Sequence, residues 1–293
     1  MLNNDSIQAL INLLDDPDEE IVVHIQSKIR SYGIAIIPYL ESAWEYHEMS
    51  TLHQARIEQI IHEIQFSTIK TALEDWKKSK EFDLIDAWTI ISKWQYPGII
   101  EKVLRAKIDE IRQDVWMEIN DQQTAFEKVK ILNKIFYTRY LFKGDNKNYH
   151  SPLNSFINTV LETKHGNPLS LSILYSTIAQ SLKIPIYGVN LPNHFILAYM
   201  DENHVNQLIG NNTNSGVFFY INAFSEGSIL YENDIRKFLT DLKLPDEKGF
   251  FEPCSHTTIV QRILINLISS YQSLGKSQKV KELLELKDII TQS

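Results

Sequence analysis

A single cysteine, Cys254, stands in a chain of 293 residues. One thiol cannot form an intramolecular disulfide, and a cysteine-based zinc site needs several. The chain also lacks a long apolar run. No stretch approaches the roughly 20 apolar residues that a spanning helix requires. Its first residues, MLNNDSIQALINLLDD, have no basic segment ahead of their apolar positions, which are spaced amphipathically, so they do not read as a signal peptide. A reducing, cytoplasmic setting is the expectation, with no membrane partner.

Positive charge is scarce as well. The formal net charge is −8, and phosphate binding needs a concentrated excess of Lys and Arg, so nucleic acid is not expected as a partner. The one local basic run, Lys77, Lys78 and Lys80, follows Glu74 and Asp75 and reads as a solvated helix face. Several chemical motifs are missing. His47-Glu48 and His62-Glu63 have no second histidine at zincin spacing, and there is no phosphate-binding glycine loop and no G-x-S-x-G. Metal or cofactor chemistry has no positive support: the expectation is none.

What is present is an ordinary globular composition, with 43% hydrophobic and 23% charged residues. Residues 1–95 read as helical throughout. Leu10, Leu13 and Leu14 form one apolar stripe and Ile21, Ile25 and Ile29 another, separated by the helix-start sequence DDPDEE. The stretch from Ile25 to Trp44 aligns without gaps on Ile57 to Trp76, matching Ile29 with Ile61 and Ile37 with Ile69. That offset suits stacked helix hairpins and resembles short HEAT-like repeats. FDLIDAWTIISKWQY then gives a helix that stops before Pro97, two helices follow over about 99–118 and 121–138, and KGDNKNYHSP is a polar loop.

From residue 151 the character changes. SPLNSFINTVLETK predicts a helix ended by His165-Gly166. NPLSLSILYSTIAQSLK predicts another, with Asn167 as N-cap and Pro168 at the first helical position. IPIYGVNL, HFILAYM and GVFFYINAF are three strands, rich in β-branched and aromatic residues. From about 255, HTTIVQRILINLISSYQ and SQKVKELLELKDIIT form a helical hairpin turning at Gly275. The expected fold is α+β and mainly helical: helical repeats over 1–95, a core with a small antiparallel sheet over 96–250, and a tetratricopeptide-like hairpin over 251–293.

Within this frame a scattered pattern stands out: Tyr96-Pro97, Tyr149, Asn154-Ser155, Gly166-Asn167-Pro168, Leu171-Ser172, Gly188-Val189, Pro192 with His194-Phe195, INAF at Ile221 to Phe224, and RILINL at Arg262 to Leu267. It resembles the second transglutaminase-core family of the transglutaminase-like superfamily, the SirB-type bacterial proteins with relatives in eukaryotes. The resemblance implies a cysteine-protease-like core: a cysteine at a helix N-terminus, a histidine at the start of a facing strand and an acid or amide on the next. Such a helix end lowers a thiol pKa, the imidazole takes its proton, and the third group holds the tautomer.

Mapped onto this chain, the resemblance puts Pro168 at the nucleophile's position, His194 at the histidine's and Asn222 at the third, where the family more usually carries aspartate. Proline cannot be a nucleophile. Ser170 is a nearby hydroxyl, open to two readings: a support for the helix cap or a replacement nucleophile. Asn222 can orient a neutral histidine or end its strand. Cys254 lies outside the pattern and reads as a half-buried loop cysteine. The expectation is a non-catalytic protein- or peptide-binding or scaffold member. The alternative is a hydrolase or acyltransferase rebuilt around Ser170 or water, His194 and Asn222. A small-molecule ligand, rimmed by the polar loop 210–216, is a third.

Overall fold

The computed structural model describes residues 4–45, 50–79, 83–200 and 216–292. The chain divides into two compact units, Met1–Asp75 and Trp76–Ser293.

The first unit is helical. Helix α1 spans Asn4–Asn12, α2 Glu19–Arg30 and α3 Ile37–Trp44, and α4, Thr51–Lys78, supplies the longest element. Asp18 caps α2 by accepting from Glu20 N, as the acidic run DDPDEE predicts. The expected stripes are only half right: Leu14, Ile25 and Ile29 pack with Ile7, Ile11, Leu40, Ile57 and Ile60 in one core, whereas Leu13 and Ile21 lie on the exposed side of their helices. The two halves of the sequence repeat fold differently. The first bends at Gly33, whose φ of +59° suits a residue without a Cβ, and continues through a 3-10 turn into α3. The second has no glycine at the matching place and runs straight through as α4. The repeat therefore carries a shared apolar period rather than two equivalent hairpins.

In the second unit, α5 (Leu84–Gln95), α6 (Glu101–Glu118) and α7 (Ala125–Asn133) come first. The helix expected over 121–138 starts later, at a capping box between Thr124 and Glu127, and its last turn widens into a π-helix over Lys134–Arg139. The helix expected from 151 is also corrected. A 3-10 turn, Pro152–Ser155, breaks at Phe156, and α8 covers only Ile157–Thr163. The Ile157 N–H donates to Ser92 Oγ instead of to a helical carbonyl. Lys164, with φ +62°, ends α8, and His165–Gly166 (β2) pairs in parallel with Lys143–Gly144 (β1) inside the stretch expected to be loop.

Helix α9, Pro168–Ser181, follows. It carries no charged residue and is buried on nearly every side, its buried polar residues being small serines, which suits a helix at the centre of a domain. It packs across β3 (Ile186–Leu191) and β4 (His194–Met200). These strands continue through β5 (Val217–Asn222) to β6 (Ser228–Leu230) in one antiparallel sheet of order β3-β4-β5-β6. Three strands were expected; β6 is a fourth, paired Tyr220 to Leu230 and Ile221 to Ile229. Helix α10, Glu232–Asp241, covers the sheet face formed by Ile196, Ala198 and Tyr220, using Ile235 and Leu239. The alternating residues Phe195, Leu197 and Tyr199 face the other side, towards α9.

The C-terminal hairpin is α11 (His256–Ser273) and α12 (Ser277–Thr291), with Gly275 at φ +67° between them. Of the basic run, Lys77 donates to Ile289 O near the end of α12, a capping role that a solvated face would not have required. Lys80 lies outside the described residues, as does 210–215 of the loop expected to rim the cleft. The fold is α+β and mainly helical, with one small antiparallel sheet in its core.

Candidate functional site

The start of α9 is built from a reciprocal cap. Asn167 Oδ1 accepts from Ser170 N at 2.9 Å, and Ser170 Oγ accepts from Asn167 N at 3.0 Å. Asn167 Nδ2 donates to Ser155 Oγ at 3.0 Å, and the Ser155 carbonyl accepts from the Trp88 indole at 2.7 Å. All four residues are buried. Gly166 is tied into the same unit, since a Cβ there would meet Ser170 Oγ at 2.5 Å. The fragments Asn154-Ser155 and Gly166-Asn167-Pro168 thus form one scaffold that aims the first turn of α9.

That first turn opens on a cleft of about 440 Å³. Asn167, Pro168 and Leu169 form one wall, Asn193 and His194 a second, and Arg262, Asn266 and Ser269 of α11 a third, with Tyr149 beside them. A tight hairpin delivers His194. Leu191 pairs with His194 across a two-residue loop in which Pro192 brings its fixed φ and Asn193 takes φ +58°.

His194 and Asn222 are hydrogen-bonded through their side chains. The strand register explains this: Leu197 pairs with Ile221, so Asn222 falls diagonally from His194 on the same sheet face. Burial pushes the His194 pKa below its ordinary 6.5 and the Arg262 cation adds to that, while the hydrogen bond that the ring donates to the Asn222 amide oxygen works the other way. The ring is held neutral at neutral pH. Asn222 also ends its strand, because its Oδ1 accepts from Phe224 N and Ser225 N at 3.1 and 3.3 Å.

The candidate residues therefore separate. Pro168, Asn167 and His194 share the cleft, with Asn222 behind His194. Ser170 does not line it. Only 2% exposed, its hydroxyl is engaged with the Asn167 backbone as acceptor from N and donor to O. Cys254 lies in a different cavity with His256 and Tyr187, where burial pushes its thiol up to about 11. Among the described residues, no cluster of His, Cys, Asp or Glu is arranged to hold a metal. None of their helices is long and apolar enough to cross a membrane.

Residue-by-residue reading of the sequence passed over Arg262. It lies on α11, where its Nη1 donates to Asn190 Oδ1 at 3.1 Å and Leu191 O at 3.3 Å. The sequence signal was an arginine interrupting an apolar run, RILINL, noted only as part of the family pattern.

The transglutaminase-like superfamily profile matches residues 102–265, which contain every wall of this cleft except its far end on α11. The chain belongs to the transglutaminase-like superfamily. Among curated proteins, a UPF0162 protein of Xylella fastidiosa (strain 9a5c) is 23% identical over 199 residues, 66% of each chain. A UPF0162 protein of Buchnera aphidicola is 33% identical over 126 residues, 41% of this chain and 46% of that one. F-box only protein 21 of Homo sapiens is 27% identical over 170 residues, 58% of this chain but 25% of that protein. This chain therefore spans just under two thirds of the Xylella relative and a quarter of the human one. No solved structure matches.

Proposed function

We propose that this transglutaminase-like chain is non-catalytic and uses its cleft to bind a protein or peptide segment, as a binding or scaffold module. One observation carries the reading: Pro168 occupies the first turn of α9 in the cleft that His194 also lines. A side chain with no ionisable atom stands where superfamily chemistry requires a thiolate. The only thiol, Cys254, is in another cavity and resists ionisation. The occurrence of a similar region within the longer F-box only protein 21 agrees with a core that works as a module. SirB-type membership, a HEAT-like character for the N-terminal helices, a tetratricopeptide-like one for the closing hairpin and a cytoplasmic setting belong to the same proposal.

Affinity capture with the full chain, run beside an acyl-substrate screen, tests it. A specific protein partner lost on filling the cleft is expected, with no turnover. Turnover of amide or ester substrates without any specific partner would overturn the reading.

A second reading draws on the His194–Asn222 hydrogen bond. A neutral imidazole oriented by an amide can act as a general base on a cleft water, giving a hydrolase or acyltransferase without a protein nucleophile. In that version His194 takes the proton as water, or an acceptor alcohol or amine for acyl transfer, adds to the acyl carbon, and returns it to the leaving amine or alcohol as the amide or ester bond breaks. Ser170 is not the attacking group in it, because its hydroxyl closes the cap. Loss of any detected turnover in His194→Ala would favour this reading; unchanged turnover would remove it.

A further inference from the structure

Arg262 presents an unusual electrostatic situation. Its guanidinium is half-buried in the wall of the cleft, and among the described residues it makes no ion pair. Elsewhere in this unit arginines find carboxylates: Arg105 pairs with Asp83, Asp86 and Glu101, and Arg236 with Glu232 and Asp246. Arg262 has only neutral acceptors, Asn190 Oδ1 and Leu191 O, and both bind the same nitrogen, Nη1. They fix the plane of the guanidinium and leave the Nε and Nη2 donors open. Withdrawing a cation from water without a counter-charge is costly, and an incoming anion recovers that cost.

The opposite wall offers a second donor. In the first turn of α9, Pro168 has no N–H, the Ser170 N–H is taken by Asn167 Oδ1, and the Leu171 N–H by Asn167 O. The Leu169 N–H is the donor left open, at the positive end of the helix dipole, and Leu169 lines the cleft. His194 is neutral and adds no charge.

We propose that this cleft binds a carboxylate, with Arg262 as its cationic anchor. One planar guanidinium with a fixed fork matches one planar monoanion, two parallel N–H donors to two oxygens. A phosphate dianion would call for more than this single cation. The site takes either a small organic acid or the free C-terminus of a peptide, since both offer the same carboxylate and about 440 Å³ admits either. The proposal deepens the binding reading above and rests on it.

The test uses the full chain and matched probes: N-acetyl amino acids as free acids and as carboxamides, octapeptides with free and amidated C-termini, and inorganic phosphate. Binding is followed by calorimetry and by the melting temperature. Free acids are expected to bind about tenfold or more tighter than their amides, the loss of one charge-assisted hydrogen-bond pair. Arg262→Gln is expected to erase that preference. If Arg262→Gln does not fold, Ser269→Trp, which fills the exposed mouth and leaves the arginine in place, is expected to abolish acid binding. Tighter binding of free-ended octapeptides than of N-acetyl amino acids assigns the carboxylate to a peptide terminus; the reverse order assigns it to a small acid. Equal binding of acids and amides, binding of phosphate alone, no acid-selective binding by any probe, or a preference that survives both substitutions would each overturn the carboxylate site. Octapeptides that bind regardless of their C-terminus and are lost in Ser269→Trp would leave the peptide-binding reading standing. Acyl turnover would remove that reading without touching the anion site.

Discussion

Gly166 and Ser170 exclude one another's growth: a Cβ on Gly166 would sit 2.5 Å from the Ser170 Oγ that closes the α9 cap. Gly166→Ala should therefore destabilise the protein by about 1–3 kcal/mol, the usual cost of forcing an atom into a packed site. Part of that cost should vanish in Gly166→Ala/Ser170→Ala, because the clashing oxygen is gone. Urea denaturation of the two single variants and the double variant measures the coupling. Strict additivity would show that the close approach is not what limits this position.

Asn167 closes two buried interactions at once, the cap to Ser170 N and the bond to Ser155 Oγ. Asn167→Ala loses the cap, about 1 kcal/mol, and strands a buried hydroxyl, about 1–3 kcal/mol more. A fall in unfolding free energy of roughly 2–4 kcal/mol is expected. A loss below about 0.5 kcal/mol would mean that water replaces both partners.

The cleft sets the N-terminal turn of α9 across from the Arg262 cation, and both features stabilise a thiolate. In a Cys254→Ser background, Pro168→Cys places a sulfur at the start of α9, near His194 and Arg262. Helix end and cation both favour a thiolate, so the new thiol should titrate below the ordinary value of about 8.5. In the natural sequence Cys254, at about 11, should react slowly until the chain unfolds. The pH dependence of iodoacetamide labelling reads both. An introduced thiol that titrates at 8.5 or higher would count against this description of the cleft.

His194 should leave a mark on stability against pH. Its folded pKa lies below the unfolded value of 6.5, so below that pH the unfolded chain binds more protons than the native one. Stability from this group is complete above pH 6.5 and declines as pH falls through 6.5 towards the lower folded value. His194→Gln should flatten that part of the curve. Parallel curves for the two proteins between pH 5 and 8 would contradict the depressed pKa.

Much of the core was legible because its signals are local. Asn167-Pro168 announces the start of α9, and the uncharged run behind it announces burial. The β-branched and aromatic runs IPIYGVNL and HFILAYM announce the two strands that meet at the His194 hairpin. Strand β6 was missed because Ser228–Leu230 is three residues long, too short to show alternation. The break at Phe156 was missed because the Ile157 N–H finds its acceptor on Ser92, far away in the sequence. The place of Arg262 in the cleft depends on the packing of α11 beside β3; an arginine in an apolar run marks the position but not what it packs against. The pairing of His194 with Asn222 came from the family pattern, since neither residue's neighbours reveal the register between β4 and β5.

The enclosure of α9 also governs how the cleft can move. A helix buried on nearly all its faces cannot shift or fray without opening the core, so its central amides should exchange with solvent only when the whole unit unfolds. One wall of the cleft is therefore stationary on the timescale of ligand exchange. Adaptation to a guest falls to the opposite side, where α11 exposes Ile265 and Ser269 to solvent and Arg262 leans on the β3–β4 hairpin through a single nitrogen.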